Sequence, residues 1–484
     1  MSFGANMIPM KTGLINRNLF TTLLLLVLKI NGLCQYQYPV EYRGSSQLFT
    51  EGKLNIMDLH KAHASEHSVP SMIRVALNAL PEVKQTQPGL YPPAFVLPVR
   101  PADGLEDPGF YSITAHVDHD TAYPGHLLDF ACGDLTYDLD DGFNHTGTDF
   151  FPWPFPWKKM EHDEVEVVAA AAGVIIYKND GNFDKSCGEN NDPWNAISLL
   201  HSGGITTWYG HMKKESLTGK APGDFVEAGE YLGIVGSSGV SLAPHLHFEV
   251  YDSAFNLIDP FEGDCNPTIS GSWWEDQIPY KDAGINRISA NHALPLFPDC
   301  PQAEVPNESD QFVMGDTIFL LSYFRNLSQN DQVGITIYSP GGSVWDDWSW
   351  SSPWDFYAAT WLYFFIILQD EPEGNWIYEL AYKDQVRQHV FSVYESPGIH
   401  AEHNSSGFNV YPNPATGTFT LEWDDNMHSG EIEIVDLYGR RKFLTTFDDG
   451  ETSRKMDATG LEKGVYLIRM RGQAVTGSKK IFIY

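Results

Sequence analysis

Between residues 106 and 268 this chain is built from short β-branched and aromatic runs divided by Gly and Asn/Asp turns. No long amphipathic helical period interrupts them. That spacing confines the region to an all-β or strongly β domain. The runs 165–168, 173–177, 196–201, 206–209, 231–235 and 246–251 read as strands, and Ser202-Gly203-Gly204 reads as a hairpin turn between two of them. A second set of strands follows at 300–397. Its run 361–368 is wholly apolar, too short to span a membrane and suited to a buried strand. With the alternating run 374–380, it predicts an immunoglobulin-like β-sandwich. A polar linker at 400–406 leads to a small β domain at 407–484. The expected fold class is mainly β throughout. The rest divides into 1–34, an N-terminal segment at 35–105 with a short helix near 71–80 and no assigned role, and a connecting segment at 269–299.

A length of 484 residues calls for several domains, and 42% hydrophobic residues can fill their cores. The formal net charge of -32 argues against nucleic acid as a partner, since that requires a basic footprint. It suits a soluble protein that must resist self-association outside the cell. Lys11 and Arg17 precede the apolar run 19–28, which reads as a signal peptide over 1–34 that leaves no transmembrane anchor in the mature chain. Cleavage near Cys34 leaves Cys132, Cys187, Cys265 and Cys300. Four cysteines in an exported chain predict two disulfides, and their order favours the local pairs Cys132–Cys187 and Cys265–Cys300.

Two short stretches carry the chemistry. In His145-Thr146-Gly147-Thr148-Asp149, an extended backbone sends His145 and Asp149 the same way, and Gly147 leaves space between them for an ion. In His245-Leu246-His247-Phe248-Glu249, the two histidines share one face while Leu246 and Phe248 point into a core. Two imidazoles and one carboxylate make a three-ligand set with an open fourth position, as a catalytic zinc requires. Either stretch alone is weak, because a strand histidine is more often packed than ligating. Together, with Tyr209-Gly210-His211-Met212 between them, they form a specific pattern. No HExxH is present, so a thermolysin-like arrangement is excluded.

These stretches, in this order and with the lead-in Gly236-Ser237-Ser238-Gly239, resemble the lysostaphin/LytM-like family of zinc endopeptidases. The resemblance implies one zinc ion held by His145, Asp149 and His247. It also implies His211 and His245 as catalytic imidazoles, and peptidoglycan peptides as substrate. Two histidines near a metal can share the tasks of proton acceptor, oxyanion stabiliser and proton donor. Leu242-Ala243 departs from the family's usual Thr-Gly. Residues 407–484, with Tyr411-Pro412-Asn413-Pro414 and the run 464–469, resemble the C-terminal sorting domain of type IX secretion cargo. That resemblance implies the type IX machinery as a partner and a secreted or cell-surface location.

Other candidates have plainer readings. His116, Asp118 and His119 look ligand-like but lack a third partner motif. His162 and Asp163 suit a solvated loop, and His201 a turn. Glu249 is either an orienting partner for His247 or an ordinary strand carboxylate. The aromatic insertion at 152–157 lines a groove or packs as a rigid loop. Trp345, Trp348, Trp350 and Trp354 either fill the sandwich core or stack on sugars. The rival to an enzyme is a non-catalytic wall- or glycan-binding protein on the same fold. Such a protein would have lost ligands, and none is lost here.

Overall fold

A computed structural model describes residues 69–80, 93–395 and 408–483, with short breaks at 141, 189, 191, 298–302, 370, 414, 424–427, 437–439, 462 and 473–475. The signal peptide, Cys34, Cys300 and the linker 400–406 lie outside the described residues. The chain divides into two compact units, 1–395 and 396–484.

The first unit opens with α1 (Val69–Ala79). A three-stranded sheet runs in the order β1 (Val99–Pro101), β4 (Val165–Val168), β9 (Tyr231–Ile234). Beside it, a larger antiparallel sheet runs β2 (Tyr111–Ala115), β3 (Thr148–Pro152), β10 (Leu246–Tyr251), β7 (Thr206–Gly210), β6 (Ala196–Leu200), β5 (Gly173–Asn179), β8 (Phe225–Val226), with β11 (Leu257–Ile258) beside β10. The sequence-predicted strands and the hairpin at Ser202–Gly204 are all present. That turn needs glycine, because Gly203 and Gly204 both take positive φ, 73° and 77°. The core between the sheets gathers Phe150, Ile197, Tyr209, Leu246, Phe248 and Val250. Each large side chain buried there contributes about 1.5–3 kcal/mol. On the other face of the larger sheet, Ile73 and Leu77 of α1 cover Ile176, Leu200 and Tyr251.

The rest of this unit is a two-sheet sandwich. One sheet runs β12 (Gly284–Asn291), β14 (Thr317–Ser328), β17 (Phe356–Ile367). The other runs β13 (Gln311–Val313), β19 (Gln385–Tyr394), β18 (Gly374–Tyr382), β15 (Gln332–Tyr338), β16 (Val344–Ser351). β13 joins parallel to β19, and the remaining pairs are antiparallel. The segment 269–299, read from sequence as a connector, supplies β12. Trp345, Trp348, Trp350 and Trp354 pack against the sandwich core, which favours the structural reading of these rings.

The apolar run 361–368 alternates between buried and half-buried side chains. Leu362, Phe364 and Ile366 fill the sandwich, whereas Trp361 and Tyr363 turn toward the first domain. Both faces of β17 are therefore covered, and this explains the absence of a polar alternation. The insertion at 152–157, which includes the start of α2 (Pro156–Glu161), meets that second face. Phe155 stacks on Phe297 at 5.1 Å and meets Tyr323 edge-on at 5.3 Å. Asn286 donates to the carbonyls of Tyr111 (3.0 Å) and Trp153 (2.9 Å). The insertion is thus the joint between the two domains.

A charged latch closes the same joint. Lys159 of α2 and Arg287 of β12 both pair with Asp107, and Arg287 also pairs with Glu308. The Lys159 and Asp107 side chains are each 3% exposed. Removing one partner from a buried pair leaves an unpaired charge and costs about 3–5 kcal/mol. Asp107→Ala should lower the free energy of urea unfolding by that amount. A loss under about 1 kcal/mol, the size of an exposed pair, would rule out a buried latch.

The disulfide expectation needs correction. Cys132 bonds to Cys265, a sequence separation of 133, so neither predicted local pair forms. Cys187 is also disulfide-bonded. Sheet order is the reason. The turn at 129–133 lies against the segment that follows β11, where the Cys265 amide donates to the Phe130 carbonyl at 3.0 Å. Proximity along the chain does not report that contact.

The second unit is a smaller sandwich, described by itself. One sheet runs β20 (Phe408–Tyr411), β21 (Thr418–Trp423), β24 (Ser453–Asp457). The other runs β23 (Arg441–Phe447), β22 (Gly430–Asp436), β25 (Gly464–Gly472), β26 (Thr476–Ile483). Phe419, Leu421, Ile432, Ile468 and Ile481 lie in its core. No described helix in the chain is long and apolar enough to cross a membrane.

Candidate metal centre

β10 runs between β3 and β7, and its register decides which side chains meet. His247 lies opposite Asp149 on β3 and opposite Gly210 on β7. Leu246, Phe248 and Val250 enter the core, so His247 and Glu249 take the opposite face. His145 comes from the loop ahead of β3. His245 precedes β10 by one residue, and His211 follows β7 by one.

The three expected ligands converge. His145 Nε2 lies 3.2 Å from His247 Nδ1 and 3.2 Å from Asp149 Oδ2, and His247 Nδ1 lies 2.8 Å from Asp149 Oδ1. One atom from each residue falls within 4.8 Å of the others, the one such His/Cys/Asp/Glu group among the described residues. The outward nitrogens are occupied. His145 Nδ1 donates to the His116 carbonyl at 2.7 Å, and His247 Nε2 to Glu249 Oε1 at 2.9 Å. Each imidazole therefore turns its other nitrogen inward, as ligating histidines do. Two imidazole nitrogens and one carboxylate, oriented in this way, fit a zinc ion with one position left open.

Several contacts were not evident from sequence. Glu249 accepts from Thr146 Oγ1 (2.5 Å) and Tyr251 Oη (2.8 Å) as well as from His247, so it is an orienting partner. Tyr137 stacks on His145 at 4.3 Å. Gly147 serves a different purpose from the one its position suggested. A Cβ there would lie 2.7 Å from His247 Cε1, so the missing side chain makes room for that ring.

His211 and His245 stand beside the ligands with ring centroids 4.4 Å apart. His211 Nδ1 donates to the Ser238 carbonyl at 2.6 Å, and His245 Nδ1 to the Ala243 carbonyl at 2.8 Å. In each ring these bonds leave Nε2 as the open proton acceptor. His245 Nε2 lies 3.8 Å from Asp149 Oδ1. Burial, reinforced by the charges of His245 and His247, holds His211 well below the usual imidazole range. Burial lowers His245 as well. His211 also takes φ 60°, a left-handed backbone seldom seen outside glycine and a common mark of functional positions.

Burial alone would raise the Asp149 carboxyl. Neighbouring His145 and His245, with hydrogen bonds from His145 and His247, instead hold it well below the carboxylate range. Burial alone would lower His247, yet its bonds to Asp149 and Glu249 carry it up to about 10. Below that pH the metal-free ring keeps a proton that an incoming metal must displace. Apparent zinc affinity should therefore fall about tenfold per pH unit as pH drops from about 8 to about 6. Chelator competition across that range checks the slope, and a flat profile would contradict the proton displacement.

The other candidates fall outside this cluster. His201 is buried, lowered to about 4 by that burial, and bonded to the Ala172 carbonyl and Thr207. Asp118 caps the amides of Asp120 and Leu128, and His119 pairs with Asp259 at 2.9 Å. Asp163 pairs with Lys213 at 2.6 Å. His116 enters only through its carbonyl.

Comparison with known proteins follows the same division. Residues 144–260, which contain all five site residues, match peptidase family M23. Residues 409–484 match the secretion system C-terminal sorting domain. A DD-carboxypeptidase/endopeptidase Mpg of Neisseria meningitidis is 39% identical over 83 residues, covering 17% of this chain and 16% of that protein. Lysostaphin of Staphylococcus simulans is 31% identical over 117 residues, covering 24% and 20%. The chain thus spans about a fifth or less of the length of these relatives. Among solved structures, the catalytic domain of S. simulans lysostaphin is 27% identical with a TM-score of 0.21, covering 31% of this chain and 89% of that one.

Proposed function

We propose, from an M23 peptidase domain at residues 144–260 and a sorting domain at 409–484, that this chain is an exported zinc endopeptidase cleaving peptidoglycan stems or cross-links. The observation that carries this reading is the pair His211 and His245, neutral and with Nε2 open, beside the ligand set His145, Asp149 and His247. A chain that only bound cell wall would have no use for that pair. The names of the relatives, an endopeptidase and a lysostaphin, support the substrate class.

His145, Asp149 and His247 would hold the ion. Bound zinc supplies Lewis acidity at the scissile carbonyl and the attacking water. One imidazole Nε2 takes the proton that the water loses. The ring so protonated then presents Nε2–H to the oxyanion and passes that proton to the leaving amine. The Nδ1–H bonds of His211 and His245 to the Ser238 and Ala243 carbonyls hold each ring in the tautomer this requires. Digestion of purified peptidoglycan, with mass analysis of the fragments, tests the reading. New amino termini that vanish on zinc chelation are expected. Intact peptidoglycan after incubation with zinc-loaded protein would refute it.

The sorting domain carries the export half of the proposal. It forms a compact unit of its own, so removing it should leave the peptidase intact. A chain ending at residue 403 should cleave substrate in vitro yet remain in the periplasm of its host. Normal levels of the truncated chain outside the cells would overturn the export role.

A further inference from the structure

His211 has a neighbour that the proposed mechanism does not use. Trp194 lies in the loop between β5 and β6, seventeen positions before His211. Its ring stacks on that of His211, with centroids 4.2 Å apart and planes 29° apart. The same indole meets the His247 ring at 5.8 Å, near perpendicular. Two glycines make room for it. A Cβ at Gly210 would lie 2.5 Å from the indole ring, and one at Gly239 would also fall inside contact distance. Gly239 further requires a positive φ of 70°.

The backbone around Trp194 is clamped as well. Asn179 and Asn182 both donate to the Trp194 carbonyl, at 2.8 and 3.1 Å. The next amide, Asn195, donates to Ser238 Oγ at 2.9 Å, and the Asn195 side chain donates to the Met212 carbonyl at 3.2 Å. Ser238 is the residue whose carbonyl receives His211 Nδ1–H. A closed circuit results, running from indole to His211, to Ser238, to Asn195 and back along the chain to Trp194. A core tryptophan would be fully covered by apolar neighbours. Trp194 is half-buried, and the ring it stacks on is an imidazole.

We propose that Trp194 is a positioning residue for His211, fixing the plane of the imidazole so that Nε2 addresses the reacting atoms. This rests on the catalytic reading of His211. The hydrogen bond to Ser238 fixes one edge of the ring but allows it to rock about that bond, and a stacked plane removes that freedom. Small misalignments of a catalytic group cost about 10²-fold.

The test compares Trp194→Phe, which keeps a flat ring, with Trp194→Leu, which keeps apolar bulk without a plane. Each is assayed on a soluble cross-linked muropeptide, with zinc content and melting temperature measured alongside. Trp194→Leu should lose about 10–100-fold in kcat with little change in KM and with zinc retained. Trp194→Phe should recover most of that loss. In a His211→Ala background, Trp194→Leu should cost nothing further, since the ring it positions is gone. Equal kcat for the Leu and Phe variants would overturn the proposal. So would a loss confined to KM, a loss of zinc, or an undiminished penalty in the His211→Ala background. Full activity of His211→Ala alone would instead refute the catalytic reading beneath it, so the two failures are distinguishable.

Discussion

Asp149→Ala protein should purify without zinc and leave peptidoglycan uncut. Asp149 is the one carboxylate among the three converging candidate ligands, and both candidate histidines hydrogen-bond or pair with it. Its removal takes away a donor atom and the negative charge that balances a bound cation. The strand should survive, because β3 pairs through its backbone and Asp149 points away from the core. Loss of an orienting partner alone typically costs about 10–100-fold in metal affinity, and loss of a ligand should exceed that. Glu249→Gln supplies the comparison, since it weakens the contact behind His247, along with those to Thr146 and Tyr251, and removes none of the three converging donor atoms. Atomic absorption and hydrolysis rates, measured on the same preparations, decide the matter. A zinc-loaded Asp149→Ala protein with ordinary turnover would remove Asp149 from the ligand set.

His211→Ala should separate metal from catalysis. The ring contributes no atom to the ligand group, so zinc should stay near one equivalent. Turnover should fall by about 10²–10⁴-fold, the usual contribution of a positioned acid or base. His245→Ala should lose a similar factor, with some loss of metal because it adjoins His247 and lies 3.8 Å from Asp149. If His211→Ala kept full activity, proton transfer through this ring would be wrong even with the metal site intact.

The two stretches of the candidate site were legible in the sequence, whereas the choice of His247 over His245 as ligand came from the family resemblance. A two-residue period puts His245, His247 and Glu249 on one face of a strand, and Asp149 lies four positions after His145. The joining of the two stretches followed from their shared β domain, and the β3–β10 register realises it. The supports of the site were not legible. The His116 carbonyl, the Tyr137 ring and Trp194 reach the site from loops whose sequence distance gives no hint of contact. The disulfides failed for the same reason, because neighbourhood along the chain stood in for neighbourhood across a sheet. For the insertion at 152–157 the sequence left groove lining and rigid packing both open and hid its partner, since β12 of that partner lies in a segment that had read as a connector.

The bond between Cys132 and Cys265 has a consequence for survival outside the cell. It spans β3 to β11, and with them all five site residues. An external protease that nicks any exposed loop between those cysteines produces two pieces that remain covalently tied. The sheets can then keep them assembled around the site. Nicked protein would migrate as an intact chain on a non-reducing gel and separate only after reduction, and a chain with the proposed function would tolerate damage of this kind.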